Sequence, residues 1–136
     1  MKIKVVLDTN VLISFFIGGK MLDLTKMVRL KGIEILCNEQ LLCELEKVLS
    51  RQKFQKYLAL PVHEYTSFFR MICTEIKTEE VFSQCRDPKD NFLFDIAEQG
   101  NADYIVSGDN DVLAIDNPKF RTITIGDFLN LVGTRN

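Results

Sequence analysis

Isolated acidic residues stand beside apolar segments at widely separated points of this chain. They are Asp8, Glu44, Asp90 and Asp109. Ionised carboxylates that share one cleft repel one another and lose hydration, so such a set is favourable when cations lie between the side chains. Hard oxygen ligands select Mg²⁺ or Mn²⁺. The four acids therefore predict a divalent-cation site, provided that the fold brings them together.

Two further aspartates lie next to members of this set. Asp87 precedes Pro88 as a helix cap does, so we expect a structural role for Asp87 and rank Asp90 above it as a ligand. Asp111 follows Asp109 in a D-x-D pair, and Asp109, which is nearer the end of the preceding apolar segment, is the better ligand. Asp111 is an alternative ligand or the cap of a short helix.

Short apolar segments alternate with amphipathic ones along the chain. Strands are predicted over residues 3–7, 33–37, 75–77, 104–106 and 122–125. Helices are predicted over residues 22–30, 38–49, 61–72, 87–100, 112–115 and 127–132. Alternating strands and helices indicate a parallel sheet covered by helices, whose ligands bind beyond the carboxyl ends of the strands. Asp8 and Asp109 each follow a predicted strand, and Asp90 begins the helix that leads to the second of them.

The helical period indicates where the two helical acids point. At 100° per residue, Glu44 lies about 40° from Val48, at the border of the apolar face of its helix. Asp90 is three and four residues before Leu93 and Phe94, which places its carboxylate on the core side. Neither carboxylate is therefore predicted to point directly into solvent.

Composition and charge narrow the possible functions. With 136 residues, 46% of them hydrophobic and 26% charged, the chain is expected to form a single ordinary globular domain over residues 1–136. No apolar run is long enough for a membrane span or a signal-peptide core, so we expect a cytoplasmic protein. The four cysteines lack C-x-x-C spacing, which argues against a zinc site and a disulfide framework.

The net charge of −2 argues against nucleic-acid binding through a broad basic surface, so any such contact must be local. The best basic cluster is Lys47, Arg51, Lys53 and Lys56, although a cluster of this kind is usually a solvated face. His63 has no nucleophilic serine or cysteine near it in a readable motif, and we assign it no role.

Three motifs in order, with an acid-bearing helix after the first, resemble those of the PIN-domain nucleases. Residues 6–14 (VLDTNVLIS) are similar to the opening motif, and the helix that carries Glu44 follows. Residues 86–91 (RDPKDN) and 102–111 (ADYIVSGDND) resemble the third and fourth motifs. The short form is similar to the VapC-like toxins of bacterial type II toxin–antitoxin pairs.

This resemblance implies a three-layer α/β/α fold with a central, mostly parallel sheet. It also implies that Asp8, Glu44, Asp90 and Asp109 hold one or two Mg²⁺ or Mn²⁺ ions, with Asn10 and Ser107 orienting the acids. The implied activity is the hydrolysis of single-stranded RNA. The family further implies a homodimer and inhibition by a small antitoxin protein.

Other interpretations of the same residues remain open at this stage. Asp8 is also compatible with a turn cap, Glu44 with a solvated helix border and Ser107 with a simple turn residue. A phosphatase with an aspartate nucleophile requires D-x-D-x-T, whereas residues 8–11 are DTNV and lack the second acid. A third alternative is a catalytically silent PIN-like module that only binds RNA or protein.

Overall fold

The computed structural model describes residues 1–135 and contains one sheet with helices on both sides. Its strands are β1 (Ile3–Leu7), β2 (Ile33–Cys37), β3 (Thr74–Glu75), β4 (Tyr104–Val106) and β5 (Arg121–Ile123). Its helices are α1 (Thr9–Ile17), α2 (Met21–Leu30), α3 (Glu39–Leu49), α4 (Gln52–Gln55), α5 (Val62–Ile72), α6 (Asn91–Gln99), α7 (Asn110–Leu113) and α8 (Ile125–Gly133). A 3₁₀ turn, Pro88–Asp90, precedes α6.

The strand order is β3-β2-β1-β4-β5, and every neighbouring pair is parallel. From β1 the chain moves outward through β2 to β3, then returns across the sheet to β4 beside β1. Because parallel crossovers are right-handed, this reversal places α6 on the opposite face from α1 and α2. The predicted α/β fold is confirmed, with a sheet that is wholly rather than mostly parallel.

Both faces of the sheet are covered, and the central strands are accordingly apolar on both sides. Val5, Val6 and Leu7 of β1 are fully buried, as are Ile105 and Val106 of β4. Continuous apolar runs of this kind are typical of strands in a parallel sheet between helical layers. The residues directly after β1 and β4 therefore start from rigid, buried positions.

Helix α1 was not predicted, because its sequence is apolar almost all the way round. Of its nine residues, Thr9, Val11, Leu12, Ile13, Phe15 and Phe16 are buried. A helix buried on most sides shows no polar face and no clear helical period. Helix α4 was also not predicted, since it is a single turn of four residues.

Several predicted boundaries are wrong by one to three residues, and capping or strand pairing explains the shifts. Helix α7 begins at Asn110 rather than 112 because Asp109 caps it, its carboxylate accepting from the Asp111 N–H. Strand β5 ends at Ile123 because Thr124 caps α8. Strand β3 is Thr74–Glu75 rather than 75–77, in register with Leu36 and Cys37.

Other local predictions are confirmed. The Asn38 side chain accepts a hydrogen bond of 2.8 Å from the Leu41 N–H and caps α3. Asp87 accepts one of 3.0 Å from the Lys89 N–H and caps the 3₁₀ turn. Across residues 1–135, no helix is both long and apolar enough to cross a membrane.

Candidate active site

Asp8 lies at the carboxyl edge of the sheet, at the point where the strand order reverses. Its backbone N–H donates to the Val106 carbonyl oxygen at 3.0 Å, which extends the β1–β4 ladder by one residue. The Ser107 hydroxyl donates to Asp8 Oδ2 at 2.7 Å, and both side chains are buried. Open α/β sheets bind ligands at such a reversal point. The pairing of β1 with β4 thus places Asp8 where the fold binds ligands.

Asp109 is tied to this position through the same serine. The Asp109 N–H donates to Ser107 Oγ at 3.0 Å, and Asp109 Oδ1 accepts from the Asp111 N–H at 2.9 Å. Asp109 is exposed whereas Asp8 is buried, so the two acids form the rim and the floor of one cleft. The cleft is about 370 Å³, and Asn10 also lines it.

Asp90 and Glu44 lie near Asp8 and belong to two helical segments, the 3₁₀ turn before α6 and helix α3. The pKa of Asp90 is raised to about 6 by burial and then by the charges of Asp8, Asp109, Asp87 and Glu44. Burial and the charge of Asp8 likewise raise the pKa of Glu44. Asp8, Glu44, Asp90 and Asp109, called the acidic cluster below, therefore lie close enough to repel one another.

Opposing effects act on the carboxylate of Asp8. Burial raises its pKa, and the charge of Asp109 adds to that effect. The hydroxyl of Ser107 and the backbone amides of Asn10 and Thr9 at the start of α1 lower it. Hydrogen-bond donors and a helix N-terminus favour the ionised form of a carboxylate. Asp8 is thus an acid at a buried position where desolvation disfavours its ionised form and nearby hydrogen-bond donors favour it.

The raised pKa of Asp90 predicts that the metal-free protein becomes less stable as pH rises from about 4 to about 6. In this window the folded state retains a proton that the unfolded state has released, because the ordinary pKa is 3.8. Thermal melts in EDTA at several pH values measure the slope, and Asp90→Asn should make it shallower. Equal slopes for the mutant and the wild type would contradict this assignment.

The supporting residues have different positions relative to the acidic cluster. Ser107 contacts Asp8 directly, and Asn10 lines the cleft with an exposed side chain. The Asp111 carboxylate instead lies 3.8 Å from Arg86 Nη1, in an exposed ion pair. We therefore expect Asp111 to contribute through the cap of α7 and this ion pair.

Asp95 is a buried acid that was not predicted from the sequence as a residue of interest. Its Oδ1 accepts from the backbone N–H groups of Val81 and Phe82 at 3.1 and 2.8 Å. The Phe82 ring then stacks on Phe94, with 4.5 Å between centroids. These contacts anchor the segment 76–87 to α6 and thus support the turn that carries Asp90. A lone acid among the apolar residues of α6 was the signal available in the sequence.

The chemistry of the acidic cluster fits Mg²⁺ or Mn²⁺. Within residues 1–135 no three acidic, histidine or cysteine side chains are close enough to form a metal site by themselves. In proteins, however, Mg²⁺ is usually held by one or two carboxylates and keeps several of its waters. In the same part of the chain no cationic side chain forms an ion pair with a member of the cluster. A hydrated cation would relieve the repulsion that raises these pKa values.

Comparisons with known proteins agree with this geometry. A family profile described as PIN domain matches residues 4–111, a range that contains all four acids of the cluster. An uncharacterized protein of Methanocaldococcus jannaschii is 31% identical over 121 residues, covering 84% of this chain and 76% of that protein. The crystal structure of VapBC2 from Rickettsia felis bound to a DNA fragment from their promoter matches 90% of this chain and 98% of the matched chain. Its TM-score is 0.57 at 14% identity, which is a likeness of fold alone.

Proposed function

This chain belongs to the PIN domain family, and we propose that it is a metal-dependent endoribonuclease that hydrolyses phosphodiester bonds of single-stranded RNA. The observation that carries the proposal is that Ser107 links Asp8 and Asp109 at the reversal point of the sheet. Glu44 and Asp90 are near enough to Asp8 that its charge raises the pKa of each. Carboxylates around a cleft are the ligands that cation-assisted phosphoryl chemistry requires.

In this proposal the acidic cluster holds Mg²⁺ or Mn²⁺. When bound, the cation lowers the pKa of a water and neutralises charge that develops on the phosphate oxygens. Ser107 is a positioning residue, because its hydroxyl engages Asp8 Oδ2 and leaves the other carboxylate oxygen for the cation. Asn10 lines the cleft, and its backbone amide lowers the pKa of Asp8. Asp111 supports the loop that carries Asp109, because its backbone N–H donates to Asp109 Oδ1.

The arrangement separates two tasks among the acids. Asp8 is 8% exposed and its carboxylate accepts from the Ser107 hydroxyl, so it is a rigid anchor. Asp109 is exposed at the rim, where an incoming phosphate has to pass. A buried anchor with an exposed rim keeps the cation in place while the substrate side of the cleft stays open.

We also propose that the protein is the toxin of a toxin–antitoxin pair. The motifs resemble VapC-like toxins, and the fold resembles a chain of a VapBC2 complex. Inhibition by a small antitoxin and a homodimer remain predictions for this chain. The neighbouring gene tests the toxin assignment, because a short reading frame that encodes a DNA-binding fold with a flexible tail is the expected partner.

The direct experiment is cleavage of a labelled single-stranded RNA by the purified protein. We expect cleavage with Mg²⁺ or Mn²⁺ and none with EDTA, because the acids alone do not activate a water for attack on the phosphodiester. Asp8→Asn protein, purified in parallel, controls for contaminating ribonucleases. Metal-independent cleavage would overturn the mechanism. Hydrolysis of phosphomonoesters without RNA cleavage would indicate a phosphatase, and chelator-insensitive RNA binding without cleavage would indicate a binding module.

A further inference from the structure

A second cleft, of about 390 Å³, adjoins the acidic cluster on the α3 side. Glu44 belongs to both, since it also lines this cleft together with Lys47, Arg51 and Lys89. The part of the cleft that these three cations line is called the basic cleft below. Their charges act on Glu44, where they lower the pKa that burial and Asp8 raise. The basic cleft thus lies directly beside the candidate site of cleavage.

The three cations are available to a ligand. Each is exposed, and none forms an ion pair with a carboxylate within residues 1–135. Exposed cations such as Lys26 and Arg29 of α2 are also unpaired within residues 1–135, so the position beside the acidic cluster is what distinguishes the basic cleft. A protein with a net charge of −2 has little long-range attraction for RNA. Local cations beside the acidic cluster are therefore the sites where phosphate binding is favourable.

Aromatic and basic side chains continue from this cleft along α4. Arg51 precedes α4 directly, and Lys53 and Lys56 follow within and just after the helix. The Lys56 ammonium lies 5.1 Å from the centroid of the Tyr57 ring. The Tyr57 residue is 52% exposed, so part of its side chain is accessible to a ligand. Cations interleaved with exposed rings are typical of surfaces that bind single-stranded nucleic acid.

We propose that the basic cleft and α4 together bind the single-stranded RNA substrate on one side of the acidic cluster. Lys47, Arg51 and Lys89 contact phosphates, and Tyr57 stacks on an unpaired base. This inference rests on the proposed function, which supplies RNA as the ligand. The strand then runs from Asp109 and Asp8 past Glu44 and over α3 to α4.

The proposal also predicts a preference for single-stranded over double-stranded RNA. Stacking on Tyr57 requires a base whose face is free, and a duplex offers such faces only at its ends. Phosphate contacts alone would accept either form. An acidic peptide is the other ligand that would suit exposed cations, so it serves as a competing probe in the test.

The test measures RNA binding in EDTA, so that cleavage does not enter. The probe is a fluorescein-labelled oligouridylate of about twelve nucleotides, a length within the range that such surfaces bind, and the readout is fluorescence anisotropy at several salt concentrations. Lys47→Ala/Arg51→Ala should weaken binding about tenfold at low salt and reduce the salt slope by about 1.4, since each phosphate that the variant no longer neutralises lowers the slope by ~0.7. Tyr57→Ala should weaken binding about fivefold or more, whereas Tyr57→Phe should bind like wild type.

Matched controls distinguish RNA binding at the basic cleft and α4 from a general effect of protein charge on RNA affinity. Lys26→Ala/Arg29→Ala removes the same charge from exposed positions of α2, which runs back toward the opposite edge of the sheet. This control should bind RNA like wild type. An RNA duplex of equal length should show no dependence on the Tyr57 ring. All substituted side chains are exposed, and thermal melts verify that each variant is folded.

Three results would overturn the proposal. The first is wild-type affinity for RNA in the Lys47/Arg51 and Tyr57 variants, and the second is an equal loss of affinity in the α2 control. The third is that wild type binds an oligoglutamate peptide more tightly than RNA and that the same variants weaken peptide binding. The last would identify a protein-docking surface. Failure of the proposed function is distinguishable, because it appears as absence of cleavage by wild type with Mn²⁺ while binding in EDTA persists.

Discussion

Asp8→Asn is expected to reduce metal-dependent RNA cleavage about a thousandfold or more and to raise the melting temperature of the metal-free protein. The loss of activity follows because Asp8 is the buried anchor of the acidic cluster. The gain in stability follows because the substitution removes a desolvated charge that Asp109 repels. The asparagine is nearly isosteric, and its amide oxygen can still accept from the Ser107 hydroxyl.

Thermal melts with EDTA and with Mn²⁺ measure both halves of this prediction. Mn²⁺ at about a hundred times its Kd should stabilise wild type by roughly 2.7 kcal/mol, because it binds the folded state preferentially. The Asp8→Asn protein should gain distinctly less. Glu46→Gln removes an exposed charge from α3 and should match wild type in activity and in the Mn²⁺ shift. If Asp8→Asn melts lower without metal and keeps the full Mn²⁺ shift, Asp8 is a structural turn residue.

Asp90→Asn should reduce the cleavage rate at least about a hundredfold, whereas Asp87→Ala, which removes the cap acceptor, should mainly destabilise the fold, by about 1 kcal/mol. Asp87 accepts from the Lys89 N–H at 3.0 Å and caps the turn before α6. The charges of Asp8 and Asp109 instead raise the pKa of Asp90, which fits its proposed place among the acids that hold the cation. The two aspartates are three residues apart, but we expect Asp87 to stabilise the turn and Asp90 to hold the cation.

Steady-state kinetics with Mn²⁺ and urea unfolding in EDTA separate the two effects. Each variant removes one negative charge from the same turn, so each is the matched control of the other. The cleavage rate of Asp87→Ala is compared at a temperature where the protein is fully folded. Equal losses of rate in the two variants would show that the assignment of ligand and cap is wrong.

Local chemistry in the sequence was sufficient for part of the fold. Strands β1, β2 and β4 are short, bounded runs of branched apolar residues, and their limits were predicted correctly. The caps at Asn38 and Asp87 were predicted because a side-chain acceptor satisfies amides of the next few residues. Asp8 and Asp109 were placed at one edge because parallel strands end on the same side of a sheet.

Other elements depend on distant contacts that leave no local pattern. Helix α1 is apolar nearly all round because neighbouring layers bury it. Strands β3 and β5 have two and three residues, and their limits are set by the register with β2 and β4. The role of Asp95 depends on where the backbone of the segment 76–87 passes.

The sequence by itself singled out the residues to which we assign chemistry, and it indicated that Asp8 and Asp109 follow strands of a parallel sheet. It did not determine that β1 and β4 are neighbours, because strand order depends on how the crossovers pack. The helical period indicates that the side chains of Glu44 and Asp90 point towards the core, but it does not indicate which residues lie near them. Only the tertiary structure brought them within range of Asp8, because their desolvation and mutual repulsion exist only once the helices are packed.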